Sequence, residues 1–163
     1  MNNENTTQLK ELIRYATLAP SSHNTQCWKF RLEDRAISIL PDLSRRCPVV
    51  DPDDHHLYVS LGCAAENLLQ AAKAQGLSGQ ITFDDSGDGA VQIALEPSPP
   101  TVTPLFEAIP HRQCTRAEYD GKPLSLEEIK LLETAGQGDG VRVLMLTERA
   151  EMETVLDYVV QGN

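Results

Sequence analysis

An α+β fold is what this sequence predicts, and three observations carry that prediction. Apolar residues recur at three- and four-residue spacing through Leu9, Leu12, Ile13 and Ala16, the period of an amphipathic helix. From Trp28 to Leu32 they alternate instead, with Trp28, Phe30 and Leu32 set against Lys29 and Arg31, as in a half-buried strand. Short turns join most successive strands, which implies a mostly antiparallel sheet, here packed around one long central helix.

The elements follow in order. Thr6 or Thr7 is expected to cap the first helix, and Pro20 stops it. Trp28–Leu32 and Ala36–Leu40 form a hairpin around the turn Glu33-Asp34-Arg35. After loop chemistry from Pro41 to Pro52, Asp53 or Asp54 is expected to cap the longest element, Leu57 to Gln75, which Gly76 ends. Apolar residues cover much of this helix's circumference, so it should be a central one, and its small residues would let another helix approach closely. Strands at Gln80–Phe83 and Ala90–Leu95 bracket the turn at 84–89. Glu96 to Pro104 holds four prolines and reads as an extended linker. A short helix at Leu105–Ile109, a helix at Leu126–Thr134, a strand at Val141–Leu146 and a last helix from Glu148 complete the series. Ser125 and Glu128 stand at capping-box spacing. The last helix carries an apolar face with no later element to cover it.

Bulk composition excludes several functions. With 163 residues, 40% hydrophobic and 23% charged, the chain can bury one core and is not disordered. A formal charge of −10 argues against a nucleic-acid surface, whose affinity comes from clustered Lys and Arg, and against an anionic membrane. No apolar run reaches the roughly 20 residues of a spanning helix. The polar start Met1-Asn2-Asn3-Glu4-Asn5 lacks the basic and apolar regions of a signal peptide. Cys27, Cys47, Cys63 and Cys114 are scattered without a C-x-x-C pair, so they read as reduced thiols, Cys63 as core packing. A cytoplasmic, acidic, soluble protein is expected. Neighbouring His55 and His56 point apart on a helix and converge with no other ligand, so no metal site is expected.

Two segments carry candidate chemistry. Pro20-Ser21-Ser22-His23-Asn24-Thr25-Gln26-Cys27-Trp28 lies between a helix pattern and a strand pattern. It offers backbone groups and the amides of Asn24 and Gln26, each both donor and acceptor, to a flat heteroaromatic ligand. The second segment, Pro110-His111-Arg112-Gln113-Cys114-Thr115-Arg116, places two arginines four apart on an acidic protein. Guanidinium forks bind phosphate oxygens in pairs, although this spacing alone more often describes a solvated helix face. His23 could reach a ligand or simply be solvated. Ser44-Arg45-Arg46-Cys47 is either a surface turn or the rim of a site for a phosphorylated nicotinamide. Trp28 reads as core.

The order P-S-x-x-N-x-Q-x-W at 20–28 resembles the flavin-contacting loop of the nitroreductase family of FMN-dependent oxidoreductases. Residues 112–116 resemble that family's basic R-x-S-x-[RK] element, with Arg112 and Arg116 at the basic positions and Cys114 in place of the serine. Cys27 replaces the proline usual before the tryptophan. The alanine-rich helix ending at Gly76-Leu77 is similar to the family's long core helix. The basic element here follows that helix instead of opening the chain. Residues 126–146 look like a second copy of the opening helix and strand, with Gly136-Gln137-Gly138-Asp139-Gly140 where a second loop would stand. This order resembles the fused two-repeat, Acg-type subfamily, in which one chain mimics the dimer and keeps one flavin site. The resemblance implies a first repeat at 1–97 and a linker with a partial second repeat at 98–163, a shortened chain or fragment completed by self-association.

The resemblance further implies FMN as cofactor, with Pro20, Ser21, Asn24 and Gln26 contacting the isoalloxazine edge and ribityl chain. Arg112, Cys114 and Arg116 would hold the phosphate end. Hydride would pass from NAD(P)H by way of flavin N5 to a nitroaromatic or quinone-like acceptor, with no side chain required as a strong acid or base. Two other functions fit the same residues: flavin storage without turnover, and a self-associating interaction module. A homo-oligomer is expected, and a dimer that persists without flavin would favour the interaction module.

Overall fold

The computed structural model describes residues 3–162, so the polar start read at Met1-Asn2 and the terminal Asn163 lie outside the described residues. The chain divides into two compact units, Met1–Cys114 and Thr115–Asn163.

The first unit is α+β. Helix α1 (Asn3–Ala16) leads into a three-residue 3₁₀ turn at Ser22–Asn24, then β1 (Trp28–Leu32) and β2 (Ala36–Pro41). A second 3₁₀ turn at Leu43–Arg45 precedes helix α2 (His55–Ala74), strands β3 (Leu77–Asp84) and β4 (Ala90–Pro97), and helix α3 (Pro104–Ala108). The sheet runs β1-β2-β4-β3 and every pairing is antiparallel. The β1–β2 hairpin pairs Trp28 with Pro41 and Leu32 with Ile37, while β3–β4 pairs Leu77 with Pro97 and Asp84 with Ala90. Helix α2 sits between these two hairpins in sequence, and the sheet closes when β4 pairs with β2, setting Ile39 opposite Val91.

The core lies where α2 meets α1 on one side and the sheet on another. Leu9 and Leu12 of α1, Leu61 and Leu68 of α2, Ile37 and Ile39 of β2, and Ile93 of β4 are all fully buried. Trp28 is buried among them, as its position in an alternating strand predicts. Alternation is clean in β4, where Val91, Ile93 and Leu95 face inward and Gln92, Ala94 and Glu96 face solvent. Gly79 of β3 lets Leu69 close over the sheet, because a β-carbon there would lie 2.2 Å from Leu69 Cδ2. Tyr15 and Phe106 stack with ring centres 5.0 Å apart and fasten α3 beside α1.

Helix α2 is central but not buried all round. His55, His56, Val59, Gly62 and Glu66 form an exposed stripe along it. Alanines at 64, 65, 71 and 72 instead face the core, where small side chains allow close approach of the packed elements. Its start also differs from expectation. The strongest cap is Asp51, whose carboxylate accepts from the backbone N–H groups of His56 at 2.9 Å and Leu57 at 3.0 Å. Asp53 accepts more weakly from the His55 N–H at 3.3 Å, and the Asp54 side chain makes no capping bond. The helix ends as expected, with Gly76 at φ +77, where a side chain would be strained.

The second unit holds helix α4 (Leu126–Ala135) and helix α5 (Arg149–Gly162). The Ser125–Glu128 capping box is formed, with Glu128 N–H on Ser125 Oγ at 3.2 Å and Ser125 N–H on the Glu128 carboxylate at 2.7 Å. The strand expected at Val141–Leu146 is not formed. Only a single bridge pairs Gly138 with Val141. A strand needs a neighbour for its N–H and C=O groups, and among the described residues none pairs along 142–146. Met152, Val155, Leu156 and Val159 leave the apolar face of α5 exposed.

Candidate functional site

The loop 20–26 is built from uncommon backbone. His23, Asn24 and Gln26 have φ values of 51, 55 and 50, in the left-handed region that residues other than glycine seldom occupy, Asn being among the more tolerant. Internal bonds hold this shape. Gln26 N–H donates to Ser21 Oγ at 2.9 Å, Thr25 Oγ1 donates to the Ser22 carbonyl at 2.9 Å, and Asn24 N–H donates to the Ser21 carbonyl at 2.9 Å. Two outside braces add to them. Arg45 Nη1 donates to the Thr25 carbonyl at 3.2 Å, and Ser22 N–H donates to Ser60 Oγ of α2 at 3.1 Å.

Ser60 connects the loop to the helix start. Its hydroxyl is buried and donates to the His56 carbonyl at 2.7 Å while accepting from Ser22. Upstream, Asp51 is only 3% exposed, and its carboxylate takes the His56 and Leu57 N–H groups and the His56 imidazole, Nδ1 at 3.1 Å. Burial works to raise the Asp51 pKa, but these bonds more than offset it and the carboxyl titrates below its ordinary range. A cavity of about 180 Å³ opens beside this assembly, lined by Pro20, Ser21, Ser22, His56, Val59, Ser60 and Cys63. Burial pushes the Cys63 thiol up, and the Arg112 charge partly opposes it.

Arg112 reaches the base of the same loop. Its Nη2 donates to the Leu18 carbonyl at 3.2 Å across 94 residues of sequence, and its Nη1 donates to Cys114 Sγ at 3.5 Å. It also lines a second cavity of about 240 Å³ with Glu66, Asn67, Gln70, Leu105, Ala108 and Ile109. Thus Pro20 and Ser21 line the first cavity, Arg112 lines the second, and Asn24 and Gln26 line neither, standing in the loop itself. Cys114 is exposed beside Arg112. Arg116 belongs to the second unit and is exposed. The loop and Arg112 therefore meet at Leu18.

Among curated proteins, the chain is similar to nitroreductases. It is 26% identical over 159 residues to "Putative NAD(P)H nitroreductase Rv3131" of Mycobacterium tuberculosis strain H37Rv, covering 93% of this chain and 46% of that protein. The same values hold for "Putative NAD(P)H nitroreductase MT3217" of strain CDC 1551. The chain thus spans about half the length of the curated relatives it matches. Among solved structures, a putative NADH oxidase from Clostridium acetobutylicum aligns with a TM-score of 0.48 at 19% identity, over 73% of this chain and 90% of that one. No protein-family model matches the chain.

Sequence reasoning missed Asp51, His56 and Ser60 as parts of the site. Ser60 carried a usable signal, since a lone hydroxyl on an otherwise apolar helix face must find a buried partner. The sequence offers Arg45 as part of a surface turn or a site rim; in the structure it braces the Thr25 carbonyl and lies within 3.6 Å of Asp42. No helix among the described residues is long and apolar enough to cross a membrane. No group of three or more His, Cys, Asp or Glu among them is arranged to hold a metal ion.

Proposed function

We propose that this chain binds FMN and acts as an NAD(P)H-dependent oxidoreductase of nitroreductase type, with a nitroaromatic or quinone-like compound as acceptor. The observation that carries the reading is the Arg112–Leu18 bond, which brings the guanidinium-bearing segment to the base of the amide-bearing loop. The similarity to mycobacterial proteins named as NAD(P)H nitroreductases supports it.

The donor set fits the cofactor. Arg112 is exposed and uses two of its guanidinium nitrogens on Leu18 and Cys114, leaving N–H donors of the fork for a phosphate. Asn24 and Gln26, fixed in left-handed backbone, present amides suited to the uracil-like edge of a flavin or to ribityl hydroxyls. Pro20 and Ser21 form the wall beside α2. When bound, FMN supplies two-electron chemistry between the nicotinamide and the acceptor. The chain's residues position it: Ser60 and Arg45 hold the loop, and Arg112 holds both the loop's base and the anion. Cys114, beside Arg112, contributes a weak donor.

Neither cavity alone reaches the ~300 Å³ at the lower end of small-molecule sites. We therefore assign the outer wall to a second surface laid over the exposed stripe of α2, supplied by self-association. In the same reading, 1–97 is a first repeat and 98–163 a linker with part of a second. The relatives, more than twice the aligned length, leave room for a complete one.

The test is an absorption spectrum followed by FMN titration. Wild-type protein is expected to be yellow or to take up FMN. Arg112→Ala removes charge-assisted hydrogen bonds worth about 1.5–3 kcal/mol, so Kd should rise roughly 10- to 150-fold. A colourless protein that takes up no added FMN would end the proposal.

A further inference from the structure

We propose that His56, held by the buried carboxylate of Asp51, passes a proton to and from an oxygen-bearing acceptor seated in the cavity beside Pro20 and Ser21. The assignment rests on the flavoprotein reading above.

The geometry fixes which atom is available. An ionised carboxylate can only accept hydrogen bonds. Asp51 Oδ1 lies 3.1 Å from His56 Nδ1, so Nδ1 carries the hydrogen and Nε2 is left for the cavity. The same oxygen takes the His56 backbone N–H at 2.9 Å, so one buried acceptor pins both ends of the residue. The imidazole itself is 63% exposed and lines the cavity's rim, where an acceptor can approach. A histidine oriented by a carboxylate through one nitrogen and open at the other is the arrangement that general acid–base catalysis uses.

With the outer wall supplied by the second surface proposed above, the cavity offers a small aromatic acceptor Pro20 and Val59 as apolar wall and Ser21 as polar rim. The other titratable groups near the ring do not serve. Burial raises the Cys63 thiol, so it keeps its proton; Asp51 is fully engaged by α2. His55 stacks edge-on at 5.4 Å and does not line the cavity. The Ser60 hydroxyl is spent on the His56 carbonyl.

The step balances simply. Reducing a quinone to a hydroquinone takes two electrons and two protons; a reduced nicotinamide supplies both electrons and one proton as hydride. His56 supplies the other: the Nε2–H bond of the imidazolium breaks, its electron pair stays on nitrogen, and an O–H bond forms on the acceptor. Water then reprotonates the ring.

The test compares wild type with His56→Gln, using the FMN-loaded full chain, NADPH and the quinone menadione. Gln keeps the backbone cap on Asp51 and cannot carry the proton. FMN affinity should stay within about twofold, and kcat/KM should fall by roughly 10²- to 10⁴-fold. The variant's pH profile should lose an ionisation that wild type shows, and added imidazole should restore part of the rate to His56→Ala. Independently of turnover, nitrogen NMR of the flavin-free chain should find the neutral form of His56 protonated at Nδ1 with Nε2 bare, the form left once the imidazolium has given up its proton. The Nε2–H tautomer in that spectrum overturns the assignment. So does an unchanged rate and pH profile in His56→Gln with FMN bound equally well, an outcome that leaves the flavoprotein reading standing. A chain that takes up no FMN overturns both.

Discussion

Replacing Gly79 by alanine should destabilise the first unit, although alanine is ordinarily the better residue in a strand interior. A β-carbon at 79 would lie 2.2 Å from Leu69 Cδ2 and 3.1 Å from Ile93 Cγ2. Ile93 is fully buried and branched at its own β-carbon, so it cannot yield by a rotamer change. Leu69 is half-buried and its side-chain end can shift, at the cost of the contact it makes over the sheet. Overpacking of this kind costs about 1–3 kcal/mol, against which removal of glycine's extra chain entropy returns roughly 0.5–1 kcal/mol. The net expectation is a loss centred on about 1 kcal/mol and reaching at most about 2.5 kcal/mol, and 1 kcal/mol lowers the melting temperature by roughly 4–8 °C for a unit near 100 residues. Thermal and urea unfolding followed by circular dichroism would measure it. Leu69→Ala supplies the control: once the leucine is truncated, Gly79→Ala should become neutral or favourable, giving a coupling energy between the two sites. If Gly79→Ala is as stable as wild type, or if its cost is the same with and without Leu69, the close-approach argument is wrong.

Three further outcomes follow from the same structure. Ser60→Ala should cost about 1–3 kcal/mol by leaving the Ser22 N–H without its acceptor, and should speed hydrogen exchange at that amide more than at Asn24. The Asp42 carboxyl is held at about 2 by bonds from Ser44 and by Lys29. A depressed carboxyl stabilises the fold fully above its unfolded value near 3.8, and that contribution disappears as pH falls through about 2. Urea midpoints of wild type should therefore drop more steeply than those of Asp42→Asn between pH 4 and 2, and parallel curves would count against the assignment. Ser125→Ala opens the α4 capping box and should reduce the stability of the second unit by about 0.5–2 kcal/mol, read as lost helical signal on heating.

Much of the architecture was legible because it is written in short-range patterns. Alternation from Trp28 to Leu32, the hairpin turn after it and the capping box at Ser125 each depend on residues a few positions apart, and each formed as read. What escaped was set by distant partners. The cap on α2 was assigned to its nearest aspartates, yet Asp51 reaches forward to His56 and Leu57 because the intervening residues turn, with Asp54 itself left-handed at φ 58. Val141–Leu146 has strand-forming residues but no neighbour to pair with, and propensity alone does not make a ladder. For the candidate site, composition and motif order pointed to the loop and to Arg112, while the bond from Arg112 to the Leu18 carbonyl, 94 residues apart, is visible only in the fold. The hydroxyl of Ser60 on an apolar helix face signals a buried partner, but that the partner is the Ser22 N–H, 38 residues away, is set by the fold alone.

The reach of Arg112 back to Leu18 has a consequence for how the protein is born. During synthesis the loop emerges early, followed by both hairpins and α2, and only after residue 112 clears the ribosomal tunnel can the guanidinium join it. Contacts spanning so much chain form late, since their closure entropy must be met by structure already in place. Any nascent or proteolysed piece ending before that arginine would lack the bond that ties residue 112 to the base of the loop, however much of the sheet it had already formed.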